Sequence, residues 1–306
     1  MKKPFCVLAL LSLLPVLLSG QDIWNNIKLT GIANLPGYKR ALFLDDSKRL
    51  QHWSAILGEG ERQEEVEVLQ INAEACSVKI RMNEATKELM LFGLDQTNKP
   101  GPMPTNEAGT IVLRGASLDQ VLILYSLFIN RTVLQPSLLV APFNLNVPAT
   151  NRMEAAIALE KAMAEEQLSI VPDGNKFVLV VPTAQAKRAT PGSSWINSPP
   201  PSAPVKEDKD LGEDVSTVRP GIVPAGEVNF PWMDIHQVLE VYTQLIGCKL
   251  DRDASVIPSV NITLRTRTPF SKEEAIYAFD TLFRLNGITV IPAGKGMVKA
   301  VPFAAK

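Results

Sequence analysis

The strongest constraint on this chain is that it writes one stretch twice. Val228 to Pro302 has a shorter copy upstream, from Ile111 to Pro182. Gln120-Val121-Leu122 matches Gln237-Val238-Leu239, Tyr125 matches Tyr242 and Ile129 matches Ile246, all at one constant offset. Phe143-Asn144-Leu145-Asn146-Val147 faces Val260-Asn261-Ile262-Thr263-Leu264 at that same offset. Past a three-residue insertion, Glu154-Ala155 matches Glu274-Ala275, Pro172-Asp173-Gly174 matches Pro292-Ala293-Gly294, and Val181-Pro182 matches Val301-Pro302. A unit of about 75 residues is too long for a solenoid repeat, so the pattern is two tandem copies of one small domain.

Each copy reads strand, helix, strand, strand, helix, hairpin. In the second copy Val228–Phe230 opens as a strand and Asp234 is the expected N-cap. Gln237 stands three residues on, at capping-box spacing, and Ser117 with Gln120 reproduces that spacing in the first copy. Ile235, Val238, Leu239, Tyr242 and Ile246 share one helical face. Gly247, with Asn130 as its counterpart, suits the left-handed residue that ends a helix. The alternation at Val260–Leu264 predicts Val260, Ile262 and Leu264 buried, with Asn261 and Thr263 turned to water. Ser271 (Asn151 in the first copy) caps a second helix that carries Ala275, Ala278, Phe279 and Leu282 inward. A hairpin from Ile288 through Ala293-Gly294 to Val301 closes the unit.

Upstream, residues 27–92 alternate like half-buried strands and show no useful helical period, which predicts a small all-β module, a sandwich or short barrel. Asn34-Leu35-Pro36-Gly37 is a turn signal between the first two runs. Residues 95–109 read as a linker, 110–183 as the first repeat and 226–303 as the second. Between the repeats, 184–225 is rich in Pro and Ser and then charged, a tether too polar to order itself. The expected class is therefore α+β: an all-β module followed by two tandem βαββα-type domains.

Lys2 and Lys3, an apolar run from Phe5 to Leu18, and Ser19-Gly20 before Gln21 have the layout of a secretory signal over 1–20, either cleaved or kept as an anchor. No Cys stands near the cut, so a lipoprotein is not expected. Removing the signal removes Cys6. Cys76 and Cys248 then either pair in an oxidising compartment or remain small buried thiols in separate domains. A formal net charge of −1 argues against nucleic acid, whose phosphates call for clustered Lys and Arg.

The helix–strand–strand–helix layout, with Val228-Asn229-Phe230 before Asp234-Ile235 and Phe283-Arg284-Leu285-Asn286-Gly287-Ile288 leading to a hairpin, resembles the periplasmic N-domains of secretins. Secretins are the ring-forming outer-membrane channels of type II secretion and type IV pilus systems. The resemblance covers about half the chain. The N-terminal module, with Leu29-Thr30-Gly31-Ile32 and Val66-Glu67-Val68-Leu69-Gln70-Ile71, looks like the homology region of the inner-membrane type II protein C and of pilus assembly lipoproteins. The sequence departs from a secretin by ending at Lys306, just after the second copy, with no stretch for a membrane β-barrel. The resemblance thus implies a periplasmic scaffold or connector associated with the outer-membrane secretin complex. Its implied partners are the secretin channel, inner-membrane platform proteins and further copies of itself. The same fold is KH-like, but Asn130-Arg131-Thr132-Val133 and Gly247-Cys248-Lys249-Leu250 lack the second glycine of an RNA-binding loop.

No Cys-x-x-Cys, His-Glu-x-x-His, Gly-x-Ser-x-Gly or phosphate-binding Gly-rich loop occurs. His52 and His236 are the only imidazoles, and Asp251 with Asp253 read as turn acids rather than a calcium loop. No enzyme activity, cofactor or metal is expected. A partner surface is better supported. The outer face of the first helix in copy two carries Glu240 and Gln244, an ordinary wet face; copy one has Ile123 and Leu127 there, beside Leu124 and Phe128. A helix apolar all round is normally covered. Either the β module or another chain covers it. Trp195-Ile196 in the tether reads as a docking motif or an incidental pair, and Trp232, where copy one has Gly115, as a surface anchor. The competing expectation is a periplasmic module that binds peptidoglycan or a secreted substrate.

Overall fold

The computed structural model describes residues 26–45, 54–93, 109–138, 140–187, 222–223, 229–252, 257–294 and 296–303, in a mixed α+β fold. The signal segment, residues 95–108 of the expected linker, Trp195-Ile196, His52 and Asp253 lie outside the described residues.

Strands β1 (Ile27–Leu35), β2 (Tyr38–Asp45) and β3 (Ser54–Leu57) form a meander. A second meander of β4 (Arg62–Gln63), β5 (Val66–Asn72), β6 (Ser77–Met82) and β7 (Ala85–Met90) packs on it. Alternate residues of both face inward, with Leu29, Phe43, Val68, Ile80 and Leu91 in the shared core. This is the two-sheet arrangement that period-2 burial demands.

The strands over 27–92 do not stop at a boundary. The opening strand of the first repeat, β8 (Gly109–Ala116), pairs antiparallel with β1 through Gly31↔Leu113 and Ile32↔Val112. The result is one sheet in the order β10-β8-β1-β2-β3, where β10 (Phe143–Ala149) also belongs to the repeat. Gly31 allows this approach: a Cβ there would lie 2.6 Å from Leu113 Cδ2 and 3.1 Å from the Val112 carbonyl.

The first repeat continues with α1 (Leu118–Ile129), β9 (Thr132–Leu134), α2 (Arg152–Glu165), β11 (Leu168–Asp173) and β12 (Phe177–Pro182). The second has β14 (Asn229–Asp234), α3 (Ile235–Ile246), β15 (Lys249–Leu250), β16 (Asn261–Arg265), α4 (Lys272–Leu285), β18 (Ile288–Gly294) and β19 (Met297–Pro302). Pairing is the same in kind: β8 with β10 and β14 with β16 antiparallel, β9 with β12 and β15 with β19 parallel, and a closing hairpin in each. The opening strand bulges at corresponding places, at Gly115 in one copy and between Phe230 and Met233 in the other. Trp232 lies in that second bulge.

The added strands are β13 (Ile222–Val223) and β17 (Phe270–Ser271), which pair with each other. The chain has therefore rejoined the second repeat by Ile222, inside the segment expected to be a tether.

Three local expectations are corrected. The capping box forms at Ser117 and Gln120 and again at Ser271 and Glu274, but the Asp234 side chain accepts from His236 N–H rather than from N3, and Gln237 is exposed. Val260, one residue before β16, is half-buried at the edge of the second repeat's core. Asn261 and Thr263 are half-buried too, facing the first repeat rather than open water.

Candidate docking surfaces

The covered helix comes first. Ile123, Leu124 and Phe128 are buried and Leu127 is half-buried, all by the chain's own residues. The Phe128 ring meets Tyr38 of β2 edge-on, 5.7 Å between centroids. Where α1 leaves Ser126 uncovered, the second repeat reaches in. Arg267 Nε donates to Ser126 Oγ (2.9 Å), its Nη2 to the Ile123 carbonyl (3.4 Å), and its backbone N–H to Thr132 Oγ1 (3.0 Å). Of the two occupants expected for this face, the β module rather than another chain is found on it, and the expectation of Ile123, Leu124, Leu127 and Phe128 as a surface for a partner is corrected accordingly. The β module reaches this helix through Tyr38 on Phe128, and the second repeat through Arg267 on Ser126 and the Ile123 carbonyl.

Arg267 sits between Leu264 and Ser271, where the second copy holds the three-residue insertion that resets the offset. Burial, and then the neighbouring Arg265, push its pKa down to about 10. Burial also lowers Arg265, whose Nη2 donates to the Ser54 carbonyl of β3 at 3.4 Å. Sequence reading passed over both arginines. The insertion itself was the available signal.

Gln120 stitches the module to the first repeat. Its Oε1 accepts from Ser117 N–H (3.0 Å), completing the capping box. Its Nε2 donates to Thr30 Oγ1 (2.9 Å) and to the Phe43 carbonyl (2.8 Å), so a fully buried amide has partners on both ends.

The two repeats meet head to tail. On β12, Val178 and Val180 face the first repeat's own helices, while Phe177, Leu179 and Val181 enter the core of the second. The tip of the β11–β12 hairpin seats on the start of α4. Phe177 packs against Phe270 (5.0 Å) and Tyr277 (5.6 Å). Lys176 Nζ bonds Glu274 (2.6 Å) and the Pro269 carbonyl (3.0 Å), and Tyr277 donates to Asp173 (2.5 Å). The Lys176 ammonium holds the Glu274 carboxyl below its ordinary range. Burial and the Asp173 carboxylate push Tyr277 up.

Inside each repeat the two helices are tied by an equivalent pair: Tyr125 to Glu160 (2.7 Å) and Tyr242 to Asp280 (2.8 Å). Burial raises both phenols and also raises Asp280. The sequence comparison matched the tyrosines without seeing the acids, because Glu against Asp hides the equivalence.

Where the three parts join there is a cleft of about 270 Å³. Leu44 and Ser54 come from the module, Ser117 and Leu138 from the first repeat, Asn261 and Thr263 from the second. No aromatic side chain lines it among the described residues.

His236 is exposed on the first turn of α3. Cys76 and Cys248 are both free thiols; Cys76 is buried in the module, and that burial raises its pKa. Among the described residues no cluster of three or more His, Cys, Asp or Glu could hold a metal, and no helix is long and apolar enough to cross a membrane. Compared with protein-family models, curated proteins and solved structures, the chain matches none.

Proposed function

We propose that this chain is a non-enzymatic docking scaffold of a bacterial envelope secretion or pilus apparatus, exported to the periplasm and working by surface contact. The observation that carries the reading is the duplication. Two units with the same strand pairing pack head to tail through Phe177 and Tyr277, which is how a chain presents repeated gripping faces. The secretory layout of residues 1–20 and the resemblance to secretin N-domains supply compartment and partner class.

The test has two parts. A phosphatase fused after Lys306 should become active only when residues 1–20 are present. Photo-crosslinkers on the exposed face of α2 and at the β18–β19 tip should, in cells, trap a ring-forming outer-membrane channel or an inner-membrane platform protein. A fusion that stays in the cytosol would sink the reading.

A second reading, a receptor for peptidoglycan or a secreted substrate, draws on the cleft. At about 270 Å³ it falls just short of the usual range for small-molecule sites. It also offers a sugar ring no aromatic wall among the described residues, so the scaffold reading is the better supported.

A further inference from the structure

The contact between the repeats is heterologous: a hairpin of one meets a helix of the other. A contact of that kind uses different surfaces on its two sides, so two equivalent units leave one of each unused. Among the described residues, the unused helix face is that of α2. Ile157 holds the position of Tyr277 and Met153 that of Glu273, and they are 57% and 62% exposed. Glu154 stands where Glu274 receives Lys176, and Thr150 holds its carboxyl below the ordinary range, so it is charged at neutral pH. The unused hairpin is β18–β19. Met297 occupies the position of Phe177, and Pro292 to Gly294 at the turn are exposed.

We infer that the occupant of the α2 face is a second copy of this chain, whose β18–β19 hairpin seats Met297 against Met153 and Ile157. The interface between chains would thus repeat the one within each chain. Methionines suit such a seat because they adapt to an imperfect surface. Charge agrees with the assignment. Lys299 replaces Leu179 on the docking face of the hairpin, and α2 offers the exposed carboxylate of Glu154. Losing that leucine makes the contact weaker than its intrachain counterpart, and reversible. Repeated, a heterologous contact gives a closed ring or an open filament. The inference specifies one partner for the scaffold reading and rests on it only for its role in the cell. A monomer that still captures a secretion partner would overturn the inference and leave the reading standing.

The experiment uses the full chain with Cys6→Ser and Cys248→Ser, carrying Ile157→Cys and Met297→Cys and oxidised in solution. A non-reducing ladder of dimers, trimers and larger species that requires both new cysteines is the expected result, since each chain then has one donor and one acceptor. No bands beyond monomer, or dimers formed as readily by either cysteine alone, overturns the inference. Sedimentation gives a second measure without cysteines. Met153→Asp with Ile157→Asp, both at exposed positions, should weaken self-association at least tenfold, and Lys299→Leu should tighten it about tenfold. A wild-type chain that sediments as a monomer up to its solubility limit overturns the inference as well.

Discussion

The two repeats share one topology, yet the same position meets different surroundings in each. Phe177 is buried against the other repeat, whereas Met297, its equivalent, is half-buried at a hairpin tip with an exposed turn. Gln120 is sealed between helix and module; Gln237, identical in type, is exposed. Leu179 is buried and Lys299 is not. The duplicated framework is kept by residues that face inward in both copies, such as Val121 and Val238 or Leu159 and Phe279. Neighbours decide the rest. The first repeat, sandwiched between the module and the second repeat, has been made apolar on surfaces that the second repeat leaves wet.

The sharpest way to break this contrast is at the paired hairpin positions. Phe177→Ala removes a ring that touches Phe270 and Tyr277, and should cost about 3–5 kcal/mol by urea denaturation. Met297→Ala should cost under about 1 kcal/mol, as its side chain is only partly covered. Equal losses at the two positions would mean that the junction between the repeats carries no special load.

Next in size are the glutamines. Gln120→Ala leaves the Phe43 carbonyl and the Ser117 N–H without their buried partner, a loss of about 2–3 kcal/mol. Gln237→Ala should stay within about 0.5 kcal/mol. Thermal or urea unfolding of the two variants side by side decides the matter.

These residues also show what the sequence could and could not disclose. The duplication, the α+β class and the paired strands were legible because inward positions recur with the right period in both copies. Gln120 could be read as a capping residue, since capping depends on a local spacing. Its second role depends on Thr30 and Phe43, 90 and 77 residues away, and no local pattern marks it. The apolar outer face of α1 correctly announced that something covers it. What covers it was not legible, because Arg267 belongs to an insertion with no counterpart in the first copy and reaches Ser126 across the fold. Leu127 and Phe128 advertised a partner that proved, for Phe128, to be Tyr38 of the same chain. The continuous sheet through β1 and β8 was hidden for another reason: strand edges carry no signature of which edge they will join.

The tyrosine pairs sharpen the comparison from inside the repeats. Tyr242→Phe strands Asp280 in a buried site and should cost about 2 kcal/mol; Tyr125→Phe should cost about 1 kcal/mol, because the half-buried Glu160 can turn to water. Both phenols have folded pKa values raised above the ordinary 10.0, so their contribution is fully present below that pH. Above it the unfolded chain gives up protons that the folded chain keeps, and stability falls as pH rises. The melting temperature should therefore drop beyond about pH 10, and each Phe variant should drop less steeply than the wild type.

The smallest effect separates the used helix start from the unused one. Glu274 both caps α4 and pairs with Lys176, whereas Glu154 caps α2 with no lysine on it among the described residues. Half of a partly exposed ion pair is worth little, so Glu274→Gln should cost about 0.5–1 kcal/mol. The Glu274 carboxyl titrates lower folded than unfolded, so this contribution is present above the ordinary carboxylate range and disappears as pH falls through the folded value. A Lys176→Met chain should lose the same increment and show no further loss when Glu274→Gln is added, beyond what the cap itself supplies. If the double variant instead loses the sum of the two, Lys176 and Glu274 act independently, and the hairpin is held on α4 by Phe177 and the Tyr277–Asp173 bond rather than by the ion pair. Filling the α2 face with an apolar tip, such as Met297, would then need no ion pair either.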